Sequence, residues 1–521
     1  MKFNKNIYLL TLGLASLLPL SCKDFLNETD TRRISEESLF KKPADGINLV
    51  NAIYDTFHDG DFMNKSLWYG ANFLSQDFHN YGADSFFETY EIPSTFQPLN
   101  IAWRRSYQGI ARANSAIPII AKMKEDGVLS QELANRLTGE AYFLRGVFYY
   151  YLASSFGGVP LELQTVTDEG RHPRNTQDEV FASVAADMQT AADLLPWKEE
   201  LSNDDLGRAT KGAAIAYKGS ALMWIKKYDE AVATFNLLDG RYQLMENFID
   251  IHEFDKQNNQ ESIFEVQFLA GADQSWGHAN ETIWFTSFHM PEEASNFGYS
   301  YADQKLYNSF EPGDKRKAAT VIGPGDEHAS PAIEIKNYPK VKAQFKGINT
   351  LGTLNPNNPR DKSGWWRGSD TLRSGYYSVK TWRDPNVTGS TSEPGGKEYI
   401  FNGQNVIMMR LGEVLLSKAE ALAKSGNEAA ARDIVNNIIR KRAGLGPVDP
   451  SLSFNDVIIN EYRHELTGEM SLWYLLRRNG EHINYVKKEF GITIPTGKDL
   501  LPIPQEAILN NSTIVQNPGY L

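Results

Sequence analysis

Eight aromatic residues stand where side chains of their type can meet a ligand. Trp276, Trp284, Trp365 and Trp366 lie in a stretch with no sustained helical period, and Tyr81, Phe86, Phe87 and Tyr90 lie in a loop rich in Tyr, Phe, Gly and Pro. An aromatic ring beside polar residues offers a flat apolar face of the kind on which the C–H face of a sugar stacks. If such a contact resembles an aromatic pair, it contributes about 0.5–1.5 kcal/mol beyond area burial. The other reading is that the rings anchor their loops to the scaffold, and for any single ring the sequence leaves both open. The chain has 10 Trp, 24 Tyr and 27 Phe, more than core packing requires, so some are expected to face a ligand.

Catalytic spacing is absent elsewhere. There is no phosphate-binding Gly-rich loop ending in Gly-Lys-Ser/Thr, no His-Glu-x-x-His and no Gly-x-Ser-x-Gly. Gly323-Pro324-Gly325 is a turn without a following helix signal. The nine His are scattered and none pairs with another at ligand spacing, so no metal or cofactor is expected. His464, between Arg463 and Glu465, suggests a structural ion pair. Carboxylates are plentiful, but a glycosidase pair needs a separation of about 5–9.5 Å, which sequence alone does not supply. Glu140 and Glu413 are each expected to begin an apolar helix, where a dipole or packing role outweighs acid–base work. The balance points away from an enzyme.

The start of the chain carries different chemistry. Lys2 and Lys5 precede an apolar run from Ile7 to Leu20, 14 residues long, against the roughly 20 that span a bilayer as a helix. The run ends in Leu18-Pro19-Leu20-Ser21-Cys22. This has the form of a secretory signal cut before a Cys that is then lipidated, with Pro19 an irregular feature of the box. Cys22 is the only Cys, so no internal disulfide is possible and stability rests on the core. The net charge is −12; removal of residues 1–21 takes Lys2 and Lys5 with it and leaves −14. That charge opposes nucleic acid and anionic lipid, so lipid on Cys22 is the expected hold on a membrane.

Most of the rest has helical period. Ala44 to Phe57, Ser66 to Phe78 and Trp103 to Met123 are expected helices, with a loop from His79 to Asn100. Ser130 caps a helix to about Ser154, stopped by Gly157-Gly158-Val159-Pro160, and Thr176-Gln177-Asp178-Glu179 is a capping box. Helices from Lys211 to Lys226 and from Tyr228 to Leu238 form a hairpin. Its pattern, Ala221-Leu222 then Tyr228-Asp229-Glu230-Ala231 then Phe235, recurs as Ala421-Leu422, Asn427-Glu428-Ala429-Ala430 and Ile434. Small residues at the crossing and a tight turn are the logic of a tetratricopeptide unit; generic helical hairpins are the other reading. Glu261 to Phe268 alternates like a strand, and Ala270 to Lys397 is Gly-, Pro- and Asn-rich. Phe401-Asn402-Gly403-Gln404 suggests a hairpin turn, and helices are expected to resume at Val406. Trp103, Trp224, Trp382 and Trp473 are expected in the core.

Several of these segments together resemble the SusD/RagB family of outer-membrane nutrient-binding lipoproteins. The similarity lies in Trp103-Arg104 with Tyr107, Ile110, Ala113 and Asn114; in Gly139-Glu140-Ala141-Tyr142-Phe143-Leu144-Arg145; and in Phe156-Gly157-Gly158-Val159-Pro160-Leu161. It continues in Gly207-Arg208-Ala209-Thr210, Arg410-Leu411-Gly412-Glu413 with Ala419-Glu420-Ala421, and Arg440-Lys441-Arg442-Ala443-Gly444-Leu445. It ends in Leu501-Pro502-Ile503-Pro504 and Gln516-Asn517-Pro518-Gly519-Tyr520. One segment departs: where the family often has paired Arg and a Gly-His-Arg run, this chain has Tyr462-Arg463 and Gly468-Glu469-Met470-Ser471, so ion pairs there are not carried over.

The resemblance implies a mostly α fold of tetratricopeptide-like hairpins with a loop-rich, partly β ligand-facing insertion. It implies a lipoprotein signal peptide over 1–21, a flexible tether over 22–34, an N-terminal helical region over 35–260 and a C-terminal region over 261–521 with loop-rich 270–400, in one globular body. It further implies an outer-membrane, cell-surface protein that binds oligosaccharides and serves a SusC-type TonB-dependent transporter. Peptide binding is the alternative, and a polysaccharide-degrading enzyme a more remote one. Binding loops vary within the family, so the eight aromatic candidates rest on loop position and ring chemistry.

Overall fold

Helix starts follow local hydrogen-bond chemistry. The computed structural model describes residues 40–80, 85–269, 287–291, 298–331, 333–337, 375–382 and 403–520. The first helix, α1 (Pro43–Tyr54), is followed by a π-helical stretch (Asp61–Trp68), α2 (Tyr69–Asn72), strand β1 (Phe78–Asn80) and α3 (Phe86–Thr89). Then come the long helices α4 (Gln97–Glu125), α5 (Gln131–Phe156) and α6 (Gln177–Leu194). Ser130 Oγ accepts from Leu133 N at 3.1 Å to open α5. Thr176 and Glu179 cap each other's backbone to open α6, as a capping box requires. Each cap satisfies an orphan N–H and stabilises by about 1 kcal/mol.

Glycines set how closely these helices approach. A Cβ at Gly109 of α4 would lie 2.2 Å from the Phe148 ring of α5, so only Gly permits that crossing. At the end of α5, a Cβ at Gly158 would lie 2.0 Å from the Asn175 carbonyl oxygen. The Asn517 amide then donates to the carbonyls of Phe156 at 2.9 Å and Leu501 at 2.7 Å. The Gly-Gly-Val-Pro and Asn-Pro-Gly-Tyr segments are thus two sides of one joint.

The hairpin α7 (Lys211–Trp224) and α8 (Tyr228–Asn236) comes next, followed by strand β2 (Ser262–Val266). Short elements follow: β3 (Ser300–Ala302), α9 (Gln304–Ser309), α10 (Arg316–Thr320), β4 (Val321–Ile322) and β5 (Tyr377–Ser378). Strand β6 (Val406–Arg410) leads into the hairpin α11 (Leu411–Lys424) and α12 (Glu428–Ile434). The chain closes with α13 (Lys441–Ala443), α14 (Phe454–Leu466), α15 (Leu472–Arg478), α16 (His482–Phe490) and α17 (Gln505–Asn510).

The two hairpins repeat at an offset of 200 residues. In the first, Lys227 N donates to Leu222 O at 3.0 Å and Lys226 N to Met223 O at 3.2 Å; in the second, Asn427 N donates to Leu422 O at 2.8 Å and Gly426 N to Ala423 O at 3.0 Å. Both turns place one residue in the left-handed region, Lys226 at φ 58° and Gly426 at φ 87°. Helix α8 packs against α11, so the repeats stack side by side. The fold is mostly α, built on these hairpins. Trp68, Trp382 and Trp473 are among the largest fully buried side chains, and Trp103 and Trp224 are each 8% exposed.

Four expectations change. The helix expected over Ser66 to Phe78 is cut short, because tertiary bonds override local preference: Trp68 Nε1 donates to Gly468 O at 2.9 Å and Asn72 Nδ2 to Glu469 O at 3.0 Å. Phe78 instead starts β1, which pairs antiparallel with β3. The expected loop from His79 to Asn100 contains α3 and the first turn of α4. Val406 begins strand β6, paired with β2, rather than a helix, and α11 starts at Leu411. In the loop-rich middle, α9 and α10 have 6 and 5 residues, too short for a periodic signal. Phe401 and Asn402 of the expected hairpin turn lie outside the described residues, as do Cys22 and the segments expected to be a signal and a tether.

Candidate functional site

The candidate aromatic residues depend on the elements that root their loops. Tyr81, Trp276, Trp284, Trp365 and Trp366 lie outside the described residues. Their described flanks lead to the small strands. Asn80 pairs with Ser300 in the β1–β3 ladder, which sets the residue before Tyr81 beside the strand that Tyr299 enters. Ala302 bridges to Tyr376, just before β5, and β5 pairs with β4. After the segment that carries Trp276 and Trp284, Phe288 packs edge-on against Tyr299 at 4.7 Å.

The other three candidates separate by burial. Phe86 is 38% exposed and meets Phe96 at 5.4 Å. Phe87 and Tyr90 are 0% and 1% exposed, and this corrects their place among the ligand candidates. Phe87 is wedged between Tyr69 and Phe96. Tyr90 donates its hydroxyl to Leu74 O at 2.7 Å and accepts from Gln76 Nε2 at 3.2 Å. Neither ring has a face left for a ligand. The sequence reasoning passed over Phe288, Tyr299 and Tyr301 at the same edge. Their signal is that of aromatics within the same Gly- and Pro-rich stretch, without the larger indole face of the Trp candidates.

His79 ties this edge together. Nδ1 lies 2.9 Å from Glu88 Oε2 and Nε2 lies 2.9 Å from Asp303 Oδ2. The second Glu88 oxygen accepts from Asn80 N at 2.6 Å. Burial opposes a charge on the ring, but the hydrogen bonds and charges of Asp303 and Glu88 outweigh it and raise His79 to about 9. The imidazolium therefore donates to both carboxylates and joins β1, α3 and the turn into α9.

Behind the edge lies a buried ion-pair network. Arg463 Nη2 donates to Asp77 Oδ1 at 2.6 Å. Arg316 engages Asp314 and Glu461, each at 2.8 Å, and Arg440 engages Glu461 at 2.7 Å. Arg410 donates to Glu261, Glu465 and Glu469, each at 2.7 Å. Lys380 donates to Glu469 at 2.7 Å, and burial depresses its ammonium to about 8. Burial alone would raise Glu465, but Arg442, Arg410 and Arg316 outweigh it and hold the carboxyl well below its usual range. A dense network therefore occupies the segment where ion pairs were not carried over by resemblance.

His464 takes no part in it as an ion. Burial and the nearby Arg316, Arg463 and Arg440 hold it well below its ordinary value, so it is neutral. It bonds to Ser309 Oγ through Nε2 at 3.1 Å and stacks on Phe310 at 4.6 Å, which replaces the expected ion pair. Glu140 lies inside α5 rather than at its start, fully buried and held by Arg208 at 3.1 Å. Glu413 is in the first turn of α11 and borders a small cavity lined by Tyr150, Tyr151, Tyr462, Tyr474, Ser471 and Arg478, among others. Burial raises its carboxyl to about 7, and Glu469 adds to the rise.

A separate groove of about 600 Å³ runs between α4, the 160–170 loop and α17, with Trp103, Tyr107 and Asn114 along its floor. Tyr107 donates its hydroxyl to Pro160 O at 2.8 Å, and Asn114 donates to the carbonyls of Glu162 at 2.8 Å and Gln164 at 3.0 Å. Among the described residues no helix is long and apolar enough to cross a membrane.

Two family models match the chain: "Starch-binding associating with outer membrane" over residues 24–219 and "SusD family" over residues 252–520. The SusD-like protein P2 of Formosa agariphila is 24% identical over 560 residues, spanning 98% of this chain and 99% of the relative. A solved laminarin-binding SusD-like protein superposes with a TM-score of 0.69 at 24% identity, covering 92% of this chain and 100% of the other. Surface glycan-binding protein A from Bacteroides thetaiotaomicron, solved with laminarihexaose, gives 0.71 at 20% identity over 91% and 98%. With one model alone covering more than half its length, and the hairpin core and joint segments that the resemblance requires in place, this chain belongs to the SusD family.

Proposed function

We propose that this protein binds oligosaccharides at the outer-membrane surface, held by lipid on Cys22, and delivers them to a SusC-type TonB-dependent transporter without transforming them. The observation that supports this most is the likeness, over nearly the whole chain, to solved proteins described as binding laminarin or laminarihexaose. The described geometry is compatible with it. The short strands and the His79 bridge hold Asn80, Ser300 and Tyr376, which flank aromatic-bearing segments, in one small cluster, and Phe86 and Tyr299 are exposed. A rigid root with ring-bearing loops suits recognition of a flexible, polyhydroxylated chain, since preorganisation lowers the ordering cost of binding.

Titration calorimetry on residues 23–521 tests the reading, using laminarin, other polysaccharides and oligopeptides as probes. Binding to at least one glycan is expected, weakened by Ala at one or more of Trp276, Trp284, Trp365 and Trp366 while the melting temperature is unchanged. Unchanged affinity in all four variants would remove those rings from the site. Silence toward glycans beside measurable oligopeptide binding would replace a sugar ligand with a peptide, and release of shortened sugars would make the protein an enzyme.

A further inference from the structure

The small cavity beside Glu413 lies where four helices meet. Tyr150 comes from α5, Glu413 from the first turn of α11 and Tyr462 from α14. Ser471 precedes α15 directly, and Arg478 is its last residue. The walls thus bring the second hairpin together with helices from both halves of the chain. Some of the lining groups are already paired. The Tyr462 hydroxyl bonds to Ser417 Oγ at 2.9 Å, and the Tyr474 hydroxyl to Ser155 Oγ at 3.1 Å.

Others are not. Glu413 makes no hydrogen bond or ion pair among the described residues. Ser471 is 5% exposed, and its Oγ has no partner there. The Arg478 side chain is 7% exposed; its Nη2 donates to Glu420 and to Tyr462, but its Nε has no partner. Burial and the charge of Glu413 raise the Tyr150 hydroxyl to about 12, so it keeps its proton. A carboxyl, a guanidinium N–H and two hydroxyls therefore line one hollow. A buried polar group left unpaired costs about 1–3 kcal/mol, and folded interiors rarely carry several together without an occupant.

Size and charge select that occupant. The hollow leaves about 10 Å³ in which the centre of a water molecule can sit. By that measure about 10–15 Å³ holds one water. An anion would meet the carboxylates of Glu413 and Glu420. A cation would meet Arg478 and the field of Arg410, both of which act on Glu413. An apolar group would leave the carboxyl and the guanidinium edge unpaired. A water molecule donates to Glu413 and accepts from Arg478 Nε–H, with one hydrogen and one lone pair left for the hydroxyls of Ser471 and Tyr150. It can also reverse its role. Burial and the Glu469 charge raise the Glu413 carboxyl to about 7, so both of its forms are populated near neutral pH. Water accepts from the acid and donates to the carboxylate, whereas a fixed ion suits one form alone. We infer that Glu413, Arg478, Ser471 and Tyr150 form a binding site for one internal water molecule, which links α11, α15 and α5 at their meeting point.

Crystal structures of residues 23–521, as wild type, Glu413→Gln and Glu413→Leu, test the site. In the wild type one solvent peak is expected in the cavity, within about 2.6–3.2 Å of a Glu413 carboxyl oxygen and of Arg478 Nε. Glu413→Gln keeps an acceptor at that place and should retain the peak. Glu413→Leu removes the acceptor, fills part of the hollow and should lose it. The first two structures decide the matter even where Glu413→Leu does not fold. A wild-type cavity without density would overturn the site. A peak about 2.4 Å from six or more oxygens would be a metal cation and would overturn the choice of water. A peak lost in Glu413→Gln, or kept in Glu413→Leu, would show that the carboxyl does not hold the water as an acceptor and would overturn the assignment.

Discussion

His79 Nε2 lies 2.9 Å from Asp303 Oδ2, across 224 residues of sequence, and the same ring reaches Glu88 on its other side. The folded His79 is raised from 6.5 to about 9. A raised pKa means the folded state holds its proton more tightly than the unfolded chain. The contribution is therefore complete below about pH 6.5 and disappears as pH rises through about 9. A loss on the order of 3 kcal/mol is expected across that window. In His79→Gln that part of the pH dependence should be missing. Urea denaturation of both proteins at several pH values checks it, and parallel pH curves would refute the bridge.

Arg410 supplies the charge for three buried carboxylates, Glu261, Glu465 and Glu469. Arg410→Met would leave them without it, at a cost of about 3–5 kcal/mol. Arg410→Lys should recover only part, since a compact ammonium cannot reproduce the planar fork. Chemical denaturation gives both values. An Arg410→Met protein of wild-type stability would show that the network is energetically neutral.

Glu413 behaves in the same direction as His79 but with a carboxyl. Its folded value, about 7, exceeds the ordinary 4.5, so the unfolded state gives up its proton first and stability falls as pH rises from about 4.5 to 7. Glu413→Gln is expected to be near neutral at about pH 5 and to stabilise by about 1–3 kcal/mol at about pH 8. Melting curves at the two pH values test this, and a stabilisation that does not depend on pH would exclude titration as its cause.

Phe86 and Phe87 are neighbours with opposite fates. Phe87→Ala should cost about 3–5 kcal/mol through the cavity it leaves. Phe86→Ala, at a half-open position, should cost about 1 kcal/mol or less. Thermal denaturation ranks the two, and equal losses would contradict the burial described for them.

The repeated hairpin was legible because its information is local. Ala221-Leu222 and Ala421-Leu422, the turns after them and the following apolar residues recur at matching spacing, and the turn hydrogen bonds recur with them. The caps at Ser130 and Thr176 were legible for the same reason. The ion-pair network was not. Asp77 and Arg463 are 386 positions apart, and nothing near either residue specifies the other. Phe87 and Tyr90 looked like Phe86 because a loop lacks the periodicity that sorts inward from outward side chains in a helix.

The segment from Trp68 to Asp77 rests on Arg463, Gly468 and Glu469, through Trp68, Asn72 and Asp77 itself. Its partners are therefore made several hundred residues after it. At about 5–20 residues per second, the 386 positions between Asp77 and Arg463 take roughly 20–80 s to add. For that time Asp77 has no counter-charge and the aromatic cluster around Trp68 has no lid. The N-terminal part thus cannot complete its core until the stretch from Arg463 to Glu469 is present to close it.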